Sequence, residues 1–252
     1  MADARPLASP GATLAVVVPT LNDDAALGRL LPLLARLDSP PEHVIVVDGA
    51  ASEATAALCR GAALRSGTPC TWVPSRPGRG LQLRAGIEAA RAAGAEIFWM
   101  VHADCEPHAL AARAAREAIA GGAAGGYFAF RFGGERSAVK RALEICIAWR
   151  CRLSMVYGDQ GIFVSRAAYD ETPGIGPQAL FEEVPLVRAL RRTRRFAALP
   201  LPIIVSERRW RRDGLLLRTV RNRLLAVGFA AGIDEATLER WYRASRARQS
   251  RS

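Results

Sequence analysis

Several protein classes are excluded by what the chain lacks. Its five cysteines (Cys59, Cys70, Cys105, Cys146 and Cys151) are odd in number and include no Cys-x-x-Cys pair. Neither a disulfide framework nor a zinc site is signalled, and a reducing, cytoplasmic setting is the plain expectation. No apolar run reaches the roughly 18 residues that a membrane span needs. The opening MADARPLASPGA is polar and rich in Pro and Ala, without the apolar centre of an export signal. Residues 1–12 are therefore expected to be a flexible N-terminus. No G-x-G-x-x-G follows the first apolar run and no G-x-x-x-x-G-K-[ST] occurs, so a dinucleotide fingerprint and a P-loop are both missing. No RRM-type stacking signature is present, which argues against a nucleic-acid partner despite the basic charge. No internal repeat or clear linker divides the chain.

What is present is enough apolar material for one large core: 252 residues, 50% of them hydrophobic. Lys and Arg number 35 against 24 Asp and Glu, a formal charge of +11. Such an excess favours anionic partners, whether nucleotides, nucleic acid or an anionic membrane surface.

The first 120 residues alternate two kinds of pattern. TLAVVVPT (13–20), HVIVVDGA (43–50), CTWVPS (70–75) and EIFWMVHAD (96–104) read as buried strands. Between and after them lie helical patterns: AALGRLLPLLARL, in which Pro32 suggests a kink or a late start; SEATAALCRGAALRSG, with Ser52 as N-cap; LQLRAGIEAARAAG; and HALAARAAREAIAGG. Four strand–helix alternations predict a mostly parallel sheet flanked by helices. Ligands of such sheets sit at the carboxyl ends of the strands. Those ends are the places of Pro19 to Asp23, Asp48, Arg76 to Arg79, and His102 to Asp104. After residue 120 the rhythm changes: a glycine-bounded strand GGYFAFRFGG, a long amphipathic helix, a polar turn YGDQ entering a strand, an acid pair before a helix (FEEVPLVRAL), a last strand, and two closing helices.

The stretch FWMVHADCEP (98–107) ends a buried strand on His102 and Asp104. Together with VVVPTLNDD, VIVVDGAASEAT, RPGRGLQLRAGIEAA, YGDQGIFVSR, LFEEVPLVRAL and SERRWRRDG, in that order, it resembles the family 2 glycosyltransferases of the GT-A fold. More narrowly, the His-Ala-Asp form, the Gly-Asp-Gln turn and the late Arg-Arg-Trp resemble a bacterial subgroup associated with radical-SAM and selenoprotein-domain genes. The resemblance implies one GT-A domain over residues 13–243, with a nucleotide-binding half (13–120) and an acceptor half (121–243), then a basic tail (244–252). It implies transfer of a sugar from a nucleoside-diphosphate sugar, metal-assisted and with inversion. The alternative is a catalytically impaired nucleotide-sugar-binding protein, because His102 replaces the first acid of the Asp-x-Asp motif and Glu183 stands where Asp is usual.

In this reading Asp104 holds Mg²⁺ or Mn²⁺, which offsets the charge growing on the departing diphosphate. The bland alternative for Asp104 is an N-cap of the next helix. His102 would contact ribose or phosphate, or merely end a strand. Asp48 would contact the nucleobase, or else hold a turn with Gly49. Pro19, Asn22 and Asp23 end the first strand beside the donor. Arg76 and Arg79, in a Gly/Pro loop, suit phosphate with their forked guanidiniums. The base that takes the acceptor's proton is placed in the pair Glu182–Glu183, with Asp159 in reserve; a helix-start acid pair is the other reading. Gln160, Arg209 and Trp210 would contact acceptor or donor, with Arg208 beside them. The acceptor is left open between a lipid and a small molecule. LLLRTVRNRLLAVGFAAG mixes Arg with apolar residues as interfacial helices do, which leaves a peripheral contact with the inner face of the membrane open against a core-packed helix.

Overall fold

The computed structural model describes residues 11–241 apart from 154, 179, 194, 209–213, 235–236 and 239. Its strands are β1 (Leu14–Thr20), β2 (His43–Asp48), β3 (Cys70–Pro74), β4 (Ile97–Met100), β5 (Cys105–Pro107), β6 (Gly125–Phe132), β7 (Phe163–Ser165) and β8 (Phe196–Val205). The helices are α1 (Asp24–Ala35), α2 (Glu53–Ser66), α3 (Arg79–Ala92), α4 (Ala111–Ala120), α5 (Ala138–Leu153), α6 (Arg166–Asp170), α7 (Val184–Arg192) and α8 (Leu215–Ala230). All eight strands join one sheet in the order β3-β2-β1-β4-β7-β6-β8-β5.

The first four strands pair in parallel, as the alternating pattern predicts. Their side chains alternate between two cores. Leu14, Val16, Val18, Ile97 and Trp99 face one layer with Leu27, Leu30 and Leu34 of α1 and Ile119 of α4. Ala15, Val17, Ile45, Phe98 and Met100 face the other with Leu83 and Ile87 of α3 and Leu186 and Leu190 of α7. A sheet covered on both faces needs strands that are apolar at every position, which is why these runs show no polar alternation.

Local signals match the elements. Ser52 caps α2, its hydroxyl accepting the Ala54 amide at 3.2 Å. Pro32 lies inside α1, which starts at Asp24, so the late start is not what this proline causes. One strand was not expected. Residues after Asp104 form β5, which pairs antiparallel with β8, Cys105 opposite Val205. Three residues are too few to show a period, and their partner lies a hundred residues away. The last expected helix falls largely outside the described residues.

Two contacts fix the strand ends that border the site. Gln82, buried on α3, donates its amide to the carbonyls of Thr20 at 2.6 Å and Val47 at 2.9 Å, joining the ends of β1 and β2. Gly80 lets the 176–178 loop lie on the start of α3, since a Cβ there would sit 2.3 Å from the Gly176 carbonyl oxygen. That loop leads directly to Glu182 and Glu183.

Candidate active site

The turn that presents Asp104 is held at both sides. The Cys105 amide donates to the His102 carbonyl at 3.1 Å, and the Ser206 amide to the Asp104 carbonyl at 3.1 Å. The β5–β8 pairing therefore clamps the His102–Asp104 turn against the second half of the sheet. Asp104 is not a helix cap: α4 begins at Ala111 after Leu110, seven residues later in the chain.

His102 and Asp104 open onto a cavity of about 410 Å³. Its polar wall also holds Arg79, Asp159 and Glu183, so residues from the ends of both halves of the sheet meet there. Gly158 lies close to the imidazole, where a Cβ would fall 3.0 Å from His102 Nε2. α5 and α8 add apolar lining, Leu143 and Ile147 from the first and Leu225 and Phe229 from the second, with Arg150 and Arg223 among them.

Glu183 and Glu182 are adjacent and do different things. Glu182 is fully buried and its carboxylate is gripped by Arg79 in a forked ion pair, with Nη2 at 3.0 Å from Oε2. Glu182 is thus engaged as a structural anion rather than offered as the base expected of it. Arg79, expected on phosphate, holds Glu182 while it also lines the cavity. Glu183 sits at the N-cap position of α7 without capping it. One oxygen instead accepts the Gly158 amide at 3.1 Å, and the other is buried without a hydrogen-bond partner among the described residues. Burial pushes its carboxyl up to about 8; the Glu182 charge adds to the rise and Arg79 opposes it. The pair does stand at a helix start, but neither carboxylate caps it: Glu182 is on Arg79 and Glu183 on the Gly158 amide.

Asp159 has one buried oxygen without a partner among the described residues. Burial raises its pKa, Arg150 and Arg79 oppose the rise, and Asp104 adds to it. Phe181, just before the acid pair, has φ +59, unusual for a bulky residue. It stacks between Tyr157 at 5.5 Å and Phe229 at 4.7 Å, contacts that hold this strained backbone in place.

Other expected residues stand elsewhere. Asp48 is fully buried; its oxygens accept the Ala50 amide at 2.8 Å and the Ser52 amide at 2.6 Å. It shapes the loop after β2 and has no exposed surface of its own, so the direct base contact expected of it would require that loop to open. Gln160 is likewise buried, accepting from Cys151 Sγ at 2.9 Å and Arg150 at 3.1 Å; it ties α5 to the turn and is not presented to ligand. Asp23 is held by Arg208 at 2.5 Å, joining the turn after β1 to the segment after β8. Pro19 lies within β1, Asn22 takes a left-handed φ of +52 in the turn after it, and Arg76 lies on an exposed loop. None of these six residues lines the cavity. Arg209 and Trp210 lie outside the described residues. Sequence reading missed Arg150, which lies on the cavity wall with its guanidinium 4.5 Å from the Tyr157 ring centroid. The signal was available: Arg150 follows Leu143 and Ile147 at helical spacing, a charge on the apolar stripe of α5.

The glycosyl transferase family 2 model matches residues 15–175, over half of the chain. The chain belongs to that family. No curated protein matches it significantly. Solved structures of similar fold include glucosyl-3-phosphoglycerate synthase from Mycobacterium tuberculosis with Mn²⁺, UDP-glucose and phosphoglyceric acid. It is 22% identical with a TM-score of 0.57, the match covering 89% of this chain and 81% of that one. The mannosyltransferase PcManGT from Pyrobaculum calidifontis, with GDP-mannose and Mn²⁺, is 17% identical with a TM-score of 0.58, covering 94% and 72%. S. aureus TarS residues 1–349 are 14% identical with a TM-score of 0.57, covering 91% and 69%. These likenesses establish the GT-A architecture; the family establishes a glycosyltransferase.

Proposed function

We propose that this family 2 glycosyltransferase moves a sugar, with inversion, from a nucleoside-diphosphate sugar to an acceptor hydroxyl, and that Glu183 is its base. The observation that carries the reading is Glu183 itself: a buried carboxyl with one oxygen fixed by an amide, the other without a partner, and a pKa of about 8, in the cavity that Asp104 borders. A base with a pKa near the working pH combines a useful ionised fraction with a strong pull on the proton.

The step follows from the placement. The acceptor hydroxyl enters along the α5 and α8 lining. Its oxygen bonds to the anomeric carbon while its proton passes to Glu183. The bond from that carbon to the diphosphate oxygen breaks on the Asp104 side, and the electron pair leaves with the diphosphate. A single displacement inverts the anomeric centre.

Among the described residues no three His, Cys, Asp or Glu side chains come together as a metal cage. This fits an open site for a hard cation, which uses one or two carboxylates and completes its shell with diphosphate oxygens and water. Asp104 would hold it, with His102 beside it. Mg²⁺ or Mn²⁺ bound there supplies positive charge to the leaving diphosphate. Relatives of this fold that hold Mn²⁺ with UDP-glucose or GDP-mannose support the class of donor and ion. Arg150 of α5, stacked on Tyr157, adds a fixed positive charge to the cavity lining.

A second reading, donor binding without turnover, is favoured by Glu182, whose carboxylate Arg79 sequesters. One experiment separates the two. Nucleoside diphosphates and their sugars, with and without Mn²⁺, are screened for thermal stabilisation; the stabilising donor is then followed for release of nucleoside diphosphate in the unmodified protein, Asp104→Asn and Glu183→Gln. Turnover lost in both variants, with Mn²⁺ dependence lost in the first, is the expected result. Stabilisation without turnover in the unmodified protein supports the second reading, and no stabilisation by any donor sinks both.

A further inference from the structure

The helices that close the cavity are unusual on their outer sides. α5 exposes Val139, Ile145, Trp149 and Leu153, with Trp149 58% exposed. α8 exposes Val220, Leu224 and Val227, at the i, i+4, i+7 spacing of one helix face, with Leu224 65% exposed. Both stripes border the same cavity: Cys146 of α5 and Val227 of α8 are both exposed and both line it. Large apolar side chains gathered in a contiguous patch mark a docking surface, whereas single ones would need no explanation.

Charge selects the occupant. α5 has four basic residues and α8 three, against a single acid, Glu144. Glu144 is bound to Arg136 and to the Phe132 amide, and so turned inward. Lys140 is buried on Glu207. That leaves Arg141, Arg152 and Arg223 exposed around the apolar stripes, with no exposed acid on either helix. A second copy pairing face to face by a two-fold axis would bring together two faces whose exposed charges are all arginines, with no acid to meet them. An anionic lipid surface attracts them and takes up the apolar side chains between the headgroups, with Trp149 at a depth where an indole is favoured. No described helix is long and apolar enough to cross a membrane, so the contact is one of lying on the surface.

We propose that the α5–α8 face docks on an anionic bilayer and holds the cavity mouth against the lipid headgroups. The idea goes beyond the transferase reading and does not depend on it. It is tested by sedimenting the full chain with vesicles of phosphatidylcholine alone or enriched in phosphatidylglycerol. The chain is expected to pellet with the phosphatidylglycerol vesicles and to be released by high salt. Trp149→Asp and Leu224→Asp, which alter exposed side chains outside the cavity lining, are each expected to weaken the partition about tenfold or more. Donor-induced thermal stabilisation should stay unchanged in both, which separates this proposal from the donor reading and shows that the variants fold. Recovery of the unmodified protein in the supernatant with both vesicle types would overturn docking. So would variants that pellet like the parent, or a concentration-dependent dimer that Trp149→Asp dissolves, since the face would then belong to a second copy.

Discussion

Asp48 ends β2 in the first half of the chain, and Glu183 precedes α7 in the second. Both are acids at the edge of one sheet, both buried. Asp48 has a backbone amide on each oxygen, at 2.8 and 2.6 Å. Glu183 has one amide on one oxygen, a second carboxylate next to it in the chain, and nothing among the described residues on its other oxygen. The first arrangement satisfies a charge and makes it part of the scaffold. The second leaves proton affinity unspent where a cavity can use it. Burial alone is therefore no mark of function in this molecule; the mark is burial without satisfaction.

The largest expected effect comes from removing that proton affinity. Glu183→Gln keeps the shape and the Gly158 contact and cannot accept a proton, so turnover should fall about 10²–10⁴-fold. Donor-induced stabilisation should persist, because the base contributes little to holding the nucleotide. The unmodified rate should rise with pH toward about 8, where the Glu183 carboxyl loses its proton, and the Gln variant should lose that rise. Undiminished turnover in Glu183→Gln together with a collapse in Asp159→Asn would move the role to Asp159.

The same variant also tests the comparison through stability. An ordinary carboxyl ionises near 4.5, the folded Glu183 near 8. Below the first value it is neutral in both states and costs nothing. Between the two, the unfolded chain holds fewer protons than the folded one, so stability falls as pH rises. The loss between pH 5 and 8 should be about 2–4 kcal/mol by the linkage relation, and Glu183→Gln should flatten it. Denaturant midpoints of both proteins at the two pH values give the answer; equal slopes would mean that Glu183 is not held neutral.

How much of this was legible in the sequence depended on the range of the interactions. The strand–helix rhythm of the first 120 residues is set by neighbours in the chain, and β1 to β4 and α1 to α4 emerge where the pattern puts them. The Ser52 cap is legible for the same reason. The capture of Glu182 by Arg79 joins residues 103 apart, and the β5–β8 clamp on Asp104 joins segments nearly as distant. No local pattern reveals which member of an acid pair is spent on an arginine. Nor does VVDGA reveal that Asp48 folds back onto its own loop, since the same residues suit an exposed ligand contact. The positions of His102, Asp104 and Glu183 on one cavity were legible from their places at strand and helix ends; the partners that set their roles were not.

Next in size is the Arg79–Glu182 pair. Glu182 is fully buried and Arg79 is 35% exposed at its side chain. Arg79→Met leaves an unpaired carboxylate inside the protein. Removing one partner of a fully buried pair costs about 3–5 kcal/mol, and the partial exposure of Arg79 reduces this to about 2–3. The double variant Arg79→Met with Glu182→Gln should recover most of the loss, because no unpaired charge remains. Denaturant unfolding of the unmodified protein, Arg79→Met, Glu182→Gln and the double variant reads the coupling directly. No recovery in the double variant would show that Arg79 acts mainly through the 176–178 loop.

The smallest expected effect belongs to Asp48, and it tests whether a satisfied acid can still matter to the ligand. Asn in its place keeps one acceptor and sets an NH₂ group against either the Ala50 or the Ser52 amide. One partly buried amide then loses its partner, at a cost of about 1 kcal/mol. If Asp48 acts only by shaping the 49–52 loop, free nucleoside diphosphate and its sugar should weaken together and only a few-fold, since the loop can be pulled back into place by the ligand. Turnover at saturating donor should be nearly unchanged, because the Asp48 carboxylate is bonded within its own loop and does not line the cavity that holds Glu183. Calorimetric titration of both ligands against Asp48→Asn measures this. A loss confined to the sugar donor would place Asp48 beside the sugar, and a loss of a hundredfold for both would mean that the loop opens on binding and exposes the carboxylate to the base after all.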